Sequence, residues 1–265
     1  MKLKKLVAVI ALSAAAMSAQ AVVINNGGEA NLNEIINGTL LVTGNAVNAL
    51  GDTATNDAST NGYFRSSEGD SSATFLIEIT GNAATQSFGI FNGNDYVQLF
   101  AGSDSGAFET SGGYTGTVVD ASNRARVGFE LSGAGVDVFV DNVLATTFSS
   151  DTFGFYLGGG GAPVIYSDAT KNVGGAERMV SIQGQGQYLN LGSELDFGCT
   201  AMATGNCTLW EDDDYIVAFE DGGDFDFNDL MVYVEDITPV PEPGTLALLG
   251  LGLAGLGASR RRQKA

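Results

Sequence analysis

The chain predicts an all-β fold, an antiparallel β-sandwich of jelly-roll-like character. Three observations predict it. Short apolar runs recur along the body, several alternating with polar residues. Gly, Asn and Asp clusters separate those runs, and no helical period is sustained between the first 21 residues and the C-terminal tail. The two ends predict a signal helix and a short transmembrane helix.

In chain order, residues 1–21 read as a secretory signal peptide. Lys2, Lys4 and Lys5 form a positive start, residues 6–16 an apolar core, and Ala19-Gln20-Ala21 a small-x-small cleavage site that leaves Val22 as the mature start. Residues 50–70 are polar and strand-poor and predict a long surface loop. Strands are expected at 73–79, 87–91, 96–101, 126–131, 136–140, 153–157, 215–219 and 230–234. Alternation is clearest at Val136, Val138 and Val140, with Asp137 on the opposite face. Asn61-Gly62, Asn92-Gly93 and Asp141-Asn142 supply turns, and Gly158 to Gly161 mark either a boundary or a flexible turn. The expectation is one sandwich over residues 22–238.

Charge narrows the partners. With both ends set aside, residues 22–238 hold five basic residues (Arg65, Arg124, Arg126, Lys171, Arg178) against 30 acidic ones, a net charge of −25. Such a surface repels nucleic acid and anionic lipid and attracts divalent cations. Cys199 and Cys207, eight positions apart in a chain with an export signal, predict one disulfide; the alternative is two free thiols.

The densest chemistry lies at 210–236. A strand at 215–219 leads into a turn at Gly222-Gly223. Asp224, Asp226 and Asn228 then alternate with Phe225 and Phe227, which in extended chain puts oxygen donors on one face and rings on the other. Glu220, Asp221, Asp224, Asp226, Asn228 and Asp229 together form a hard-oxygen set of the kind Ca²⁺ takes. An EF-hand is excluded, because its sixth position requires Gly and holds Asp229, and a β-rich run follows. Two readings stand: a Ca²⁺ site of another kind, or Asx turns without metal.

The tail, residues 239–265, has three parts. Val240-Pro241-Glu242-Pro243 follows Pro239, residues 245–258 are apolar, and Arg260, Arg261 and Arg262 close the chain with Lys264. Fourteen helical residues span about 21 Å against a hydrocarbon core of about 30 Å, which suits transient insertion in the inner membrane with the arginines cytoplasmic. These residues resemble the PEP-CTERM sorting signal of exopolysaccharide-producing Gram-negative bacteria. That resemblance implies processing by an exosortase, export through the inner membrane, and delivery to the cell surface or extracellular matrix.

A second resemblance covers about 152–238. Phe219-Glu220-Asp221 and the run from Gly222 to Asp229 are similar to a bacterial domain of unknown function found in surface proteins with this tail. It implies a β-sandwich and no particular activity. Many relatives carry Asp-His after Asn-x-Gly-Gly; here Asn172-Val173-Gly174-Gly175 leads to Ala176-Glu177-Arg178, without histidine.

The chain has no histidine at all, which excludes Ser-His-Asp and Cys-His chemistry and histidine-ligated zinc. No P-loop, GxSxG or dinucleotide fingerprint opens a helix. No enzyme is expected. The expected function is that of an exported structural or interaction protein, stabilised by Ca²⁺. A carbohydrate-binding module for exopolysaccharide is the alternative, with Trp210, Tyr215, Tyr114 and Tyr63 as stacking candidates. A glycosidase-like enzyme using paired carboxylates is a third, lesser expectation.

Overall fold

The structure, a computed structural model, describes residues 30–48, 62–67, 69–78, 86–101, 108–109, 117–118, 124–159, 162–191 and 208–240. It begins with a single helical turn, α1 (Leu32–Ile35), that runs into a π turn (Ile36–Leu40). The strands then follow in this order: β1 (Leu41–Thr43), β2 (Tyr63–Ser66), β3 (Asp70–Glu78), β4 (Gln86–Asn92), β5 (Asp95–Ala101), β6 (Phe108–Glu109), β7 (Thr117–Val118), β8 (Arg124–Ser132) and β9 (Gly135–Val140). The remainder are β10 (Val143–Phe148), β11 (Thr152–Gly159), β12 (Ala162–Tyr166), β13 (Met179–Gln183), β14 (Gln187–Leu189), β15 (Thr208–Trp210), β16 (Tyr215–Phe219), β17 (Leu230–Glu235) and β18 (Ile237–Pro239).

Two antiparallel sheets make the sandwich. One has seven strands in the order β10-β9-β8-β3-β17-β16-β13; the other runs β18-β2-β11-β4-β5, with β12 also paired to β11. The early strand β3 lies between β8 and the late β17, and β2 lies between β18 and β11, so both halves of the chain contribute to both sheets. The inner faces meet in a core that includes Phe64, Phe88, Phe153 and Phe155 from one sheet and Tyr215, Val217, Phe219 and Val232 from the other. Aromatic contacts cross between the sheets, with Phe88 edge-on to Phe219 at 6.0 Å and Phe64 edge-on to Tyr215 at 5.9 Å.

The seven-stranded sheet has a second buried face. Ile216, Ala218, Met231 and Tyr233 point away from the sandwich and are covered by Leu32, Ile35, Ile36 and Leu40, together with the small sheet β1-β14-β15. This explains why β16 and β17 are apolar at successive positions without alternation: both faces are dry. The covering segment is held by local chemistry. Asn31 caps α1 by accepting from Glu34 N–H (3.0 Å), while Glu34 accepts from Asn31 N–H (3.2 Å). Asn37 donates to Val47 O at 2.7 Å and accepts from Val47 N–H at 2.8 Å.

One expectation changes. The loop expected over 50–70 contains strand β2 at its end, where Phe64 is fully buried; one apolar ring in a four-residue strand is too short a pattern to register as periodic. At Gly158 to Gly161, read as either a boundary or a flexible turn, Gly158 and Gly159 belong to β11 and Gly159 pairs with Ala162, while Gly160 and Gly161 lie outside the described residues. The helix α1 has only four residues, fewer than a period needs, in keeping with the absence of a sustained helical pattern. The predicted turn at Asp141-Asn142 joins β9 to β10, with φ of 49° and 66°, a two-residue hairpin loop of the primed kind.

Residues 1–21, Cys199, Cys207 and the segment 245–258 lie outside the described residues. Among the described residues no helix is long and apolar enough to cross a membrane.

Candidate functional site

The acidic turn links the two most buried strands. β16 ends at Phe219, and Glu220 N–H continues the pairing by donating to Arg178 O at 3.0 Å, just before β13. Glu220 is fully buried. The chain then loops through 221–229 and returns as β17. Asp229 closes that loop by accepting from the N–H groups of Asp221 (2.5 Å) and Gly222 (3.2 Å). The Asp221 carboxylate accepts from Gln86 Nε2 of β4 at 2.6 Å. Arg178 spans the outside: its Nη1 donates to Gly222 O at 2.7 Å, and its guanidinium lies 5.4 Å from the Phe225 ring centroid.

The alternation expected over 224–228 fails. Phe225 and Phe227 both adopt left-handed φ, 60° and 54°, so the chain is not extended and its faces do not repeat every second residue. Phe227 enters the second core, whereas Phe225 stays 37% exposed against Arg178.

The folded turn divides the six predicted oxygen donors. Glu220, Asp224 and Asp226 converge, each offering a carboxylate oxygen within 4.8 Å of the others. Asp221, Asn228 and Asp229 hold the turn in place. Asn228 donates to Asp226 Oδ2 at 2.9 Å and to Ala30 O at 2.8 Å, and its N–H donates to Asp226 Oδ1 at 3.3 Å. The Asx-turn reading therefore describes Asp226 and Asn228, and both carboxylate oxygens of Asp226 accept from Asn228.

One oxygen of the convergent three is unsatisfied. Glu220 Oε2 accepts weakly from Phe227 N–H at 3.4 Å, but Glu220 Oε1 is buried with no hydrogen-bond partner. Gly222 leaves the space beside it open. A Cβ at Gly222 would stand 3.1 Å from Glu220 Oε1 and 3.3 Å from Asp224 Oδ1. Burial pushes the Glu220 carboxyl up, and the charges of Asp224 and Asp226 push it further; the Phe227 N–H and Arg178 act against them. Burial also raises Asp229 well above the ordinary carboxylate range, with the Asp221 charge adding to it. The donors are all hard oxygens, the set that Ca²⁺ takes, with carbonyls and water completing six to eight ligands.

A second acidic group joins Asp213 and Asp214, in the turn between β15 and β16, with Asp236, between β17 and β18; each offers a carboxylate oxygen within 4.8 Å of the others. Its buried member is already satisfied. Asp214 accepts from Tyr233 OH (2.7 Å), Glu211 N–H (3.0 Å) and Asp236 N–H (3.4 Å), and burial pushes its carboxyl up to about 6. Sequence reading missed Arg178, Gln86 and Asp214 as partners in these turns, because each lies on a different element from the residues it serves. Gly-Gly followed closely by the only arginine between 127 and 259 is the one signal that could have flagged Arg178.

Two of the four stacking candidates are interior: Trp210 and Tyr215 are fully buried, with Trp210 Nε1 donating to Asp214 O at 3.0 Å. Tyr63 is half-buried, and Tyr114 lies outside the described residues. A different aromatic patch occupies the outer face of the six-stranded sheet. Pairing aligns Tyr96, Phe91, Gly154 and Tyr63 in one cross-strand row and places Tyr156 and Tyr166 beside it. Tyr96 is 45% exposed, its OH lies 3.1 Å from Tyr166 OH, and Lys171 Nζ sits 5.2 Å from the Phe91 ring centroid.

Residues 239–262 match the family model of the PEP-CTERM protein-sorting motif. No curated protein matches the chain. The motif marks an exported protein sorted by an exosortase and carried across the inner membrane to the cell surface. Its first two residues are part of the sandwich: Pro239 pairs with Phe64, and Val240 N–H donates to Tyr63 O at 2.8 Å. Pro241, Glu242, Pro243, Arg260, Arg261 and Arg262 lie outside the described residues.

Proposed function

We propose that this chain is a structural or interaction protein of the surface or exopolysaccharide matrix of a Gram-negative bacterium, with Ca²⁺ neutralising its acidic turns. One observation carries the reading: the sorting motif starts inside edge strand β18, so a sandwich of net charge −25 is attached to its sorting signal with no intervening linker. Held at an anionic membrane, that body is repelled until the tail is cut, which favours a released or re-anchored product. Intact-mass and fractionation analysis of the exported protein tests it. The expected product lacks residues 1–21, ends near Pro241-Glu242-Pro243 and partitions with the surface or matrix. A full-length chain retained in the inner membrane as the final form overturns the proposal. Calorimetry tests the calcium component, which predicts a rise in melting temperature at millimolar Ca²⁺.

A second reading, binding of exopolysaccharide, is favoured by the tyrosine patch around Tyr96. An exposed tyrosine ring can stack on a sugar face, and its hydroxyl suits sugar hydroxyls. The reading predicts that Tyr96→Ala weakens retention on the producer's own polysaccharide by about tenfold, equivalent to about 1.4 kcal/mol. Equal retention of both proteins, or none, removes it.

A further inference from the structure

We propose that Glu220, Asp224 and Asp226 hold one Ca²⁺-class divalent cation, and that this cation clamps residues 30–48 onto the outer face of the seven-stranded sheet. The inference rests on the reading of calcium as counter-charge to the body, and adds the site and the part it controls.

The site has a built acceptor. Three carboxylates converge within 4.8 Å, and the deepest of them presents a buried oxygen, Glu220 Oε1, that nothing in the fold satisfies. A buried acceptor left unmade is costly, and a cation is the ligand that satisfies a carboxylate oxygen among other carboxylates. Gly222 keeps the approach clear of a side chain at the point shared by Glu220 Oε1 and Asp224 Oδ1. Among the described residues the cation that acts on the group is Arg178, which is committed to Gly222 O and the Phe225 ring.

The clamp follows from Asp226. Its carboxylate belongs to the convergent three, and its main-chain O accepts from Leu32 N–H at 2.9 Å. Asn228, hydrogen-bonded to that carboxylate, also donates to Ala30 O at 2.8 Å. The N-terminal segment is thus attached to the sheet through the residues a cation would fix. Beneath those two bonds lie Leu32, Ile35, Ile36 and Leu40, covering Ile216, Ala218, Met231 and Tyr233. With the cation bound, Asp226 is fixed and the cover is held. With the cation removed, three crowded carboxylates repel, the turn opens, and the cover, attached through Asp226 and Asn228, loosens with it.

The test combines calcium titration calorimetry with hydrogen exchange on the purified exported protein and on Glu220→Gln and Glu220→Gln/Asp224→Asn variants. Both substitutions remove charge rather than volume, so the fold is not endangered, and far-UV circular dichroism checks it. The wild type is expected to bind Ca²⁺ with its tightest site at millimolar affinity or better. Exchange of amides 32–40 is expected to slow about tenfold on binding. The double variant is expected to lose that site and the slowing together. Absence of any Ca²⁺ binding overturns this site and the counter-charge reading alike. Binding undiminished in the double variant overturns the site and leaves calcium stabilisation standing. Binding at the site with unchanged exchange at 32–40 overturns the clamp alone.

Discussion

Glu220 is the residue at which burial and charge conflict most directly. Its raised pKa favours the neutral acid in the folded state, so the stability it contributes is present at low pH and lost as pH rises through its folded value. Glu220→Gln imitates the neutral acid. In calcium-free buffer at pH 8 the variant is expected to be more stable than wild type by about 1–3 kcal/mol, a gain that vanishes in acid; chemical denaturation at the two pH values checks this. Asp214 carries the same sign with a defined window. Its stabilisation is full below pH 3.8 and declines as pH rises through about 6, where ionisation costs up to about 3 kcal/mol. Asp214 faces Tyr233, Glu211, Glu235, Asp213 and Asp236, so the clean measurement is a difference. The fall in melting temperature from pH 4 to pH 7 is expected to be shallower in Asp214→Asn than in wild type. At this scale the sequence displayed the acids but not their division of labour. Glu220, Asp224 and Asp226 converge only because Phe225 and Phe227 take left-handed φ, and no pattern in the run announces that.

Elements were legible where their pattern outlasted a few residues. β3, β4, β5, β8, β9, β11, β16 and β17 all fall on apolar runs that read as strands. β1, β2, β6, β7, β10, β12, β13, β14, β15, β18 and α1 escaped, because most are short and β10 is largely exposed, with no apolar face to mark it. The β9–β10 hairpin shows turn chemistry acting alone. Asn142, at φ 66°, tolerates the left-handed region and a β-branched residue does not. Asn142→Val is expected to cost about 1–2 kcal/mol, and Asn142→Gly to be neutral or stabilising by up to about 1 kcal/mol, read by urea denaturation. Edge strand β18 matters differently, since it joins the body to the sorting motif. Ile237 is fully buried, and its N–H donates to Asp213 O at 2.9 Å. Ile237→Ala is expected to cost about 2–5 kcal/mol and to make the chain around Val240 more susceptible to protease, as limited proteolysis will show.

For the whole molecule the dominant quantity is the charge of −25 on residues 22–238. Such self-repulsion opposes the compact state and is relieved by screening. In calcium-free buffer the melting temperature is expected to rise on going from about 10 mM to 500 mM NaCl, where the Debye length shrinks from about 30 Å to a few ångströms. Millimolar Ca²⁺ is expected to exceed the effect of equal ionic strength of NaCl, because a site adds binding to screening. A Ca²⁺ effect equal to that of matched NaCl would reduce calcium to a screening ion.

The class of fold, the acidity of the body and the address can all be read along the chain. Those properties are sums or short linear patterns: alternation read residue by residue, charge counted, and a sorting motif whose parts are contiguous. Folding in three dimensions settles which three of six acidic-turn donors meet, that residues 30–48 cover a second face of one sheet, that Trp210 and Tyr215 are core rather than sugar-stacking residues, and that the sorting motif starts within a strand. Each of these depends on contacts between segments far apart in the chain: Ala30 with Asn228, Gln86 with Asp221, Tyr63 with Val240. Burial and convergence are properties of packing, and packing is not written in any local stretch of residues.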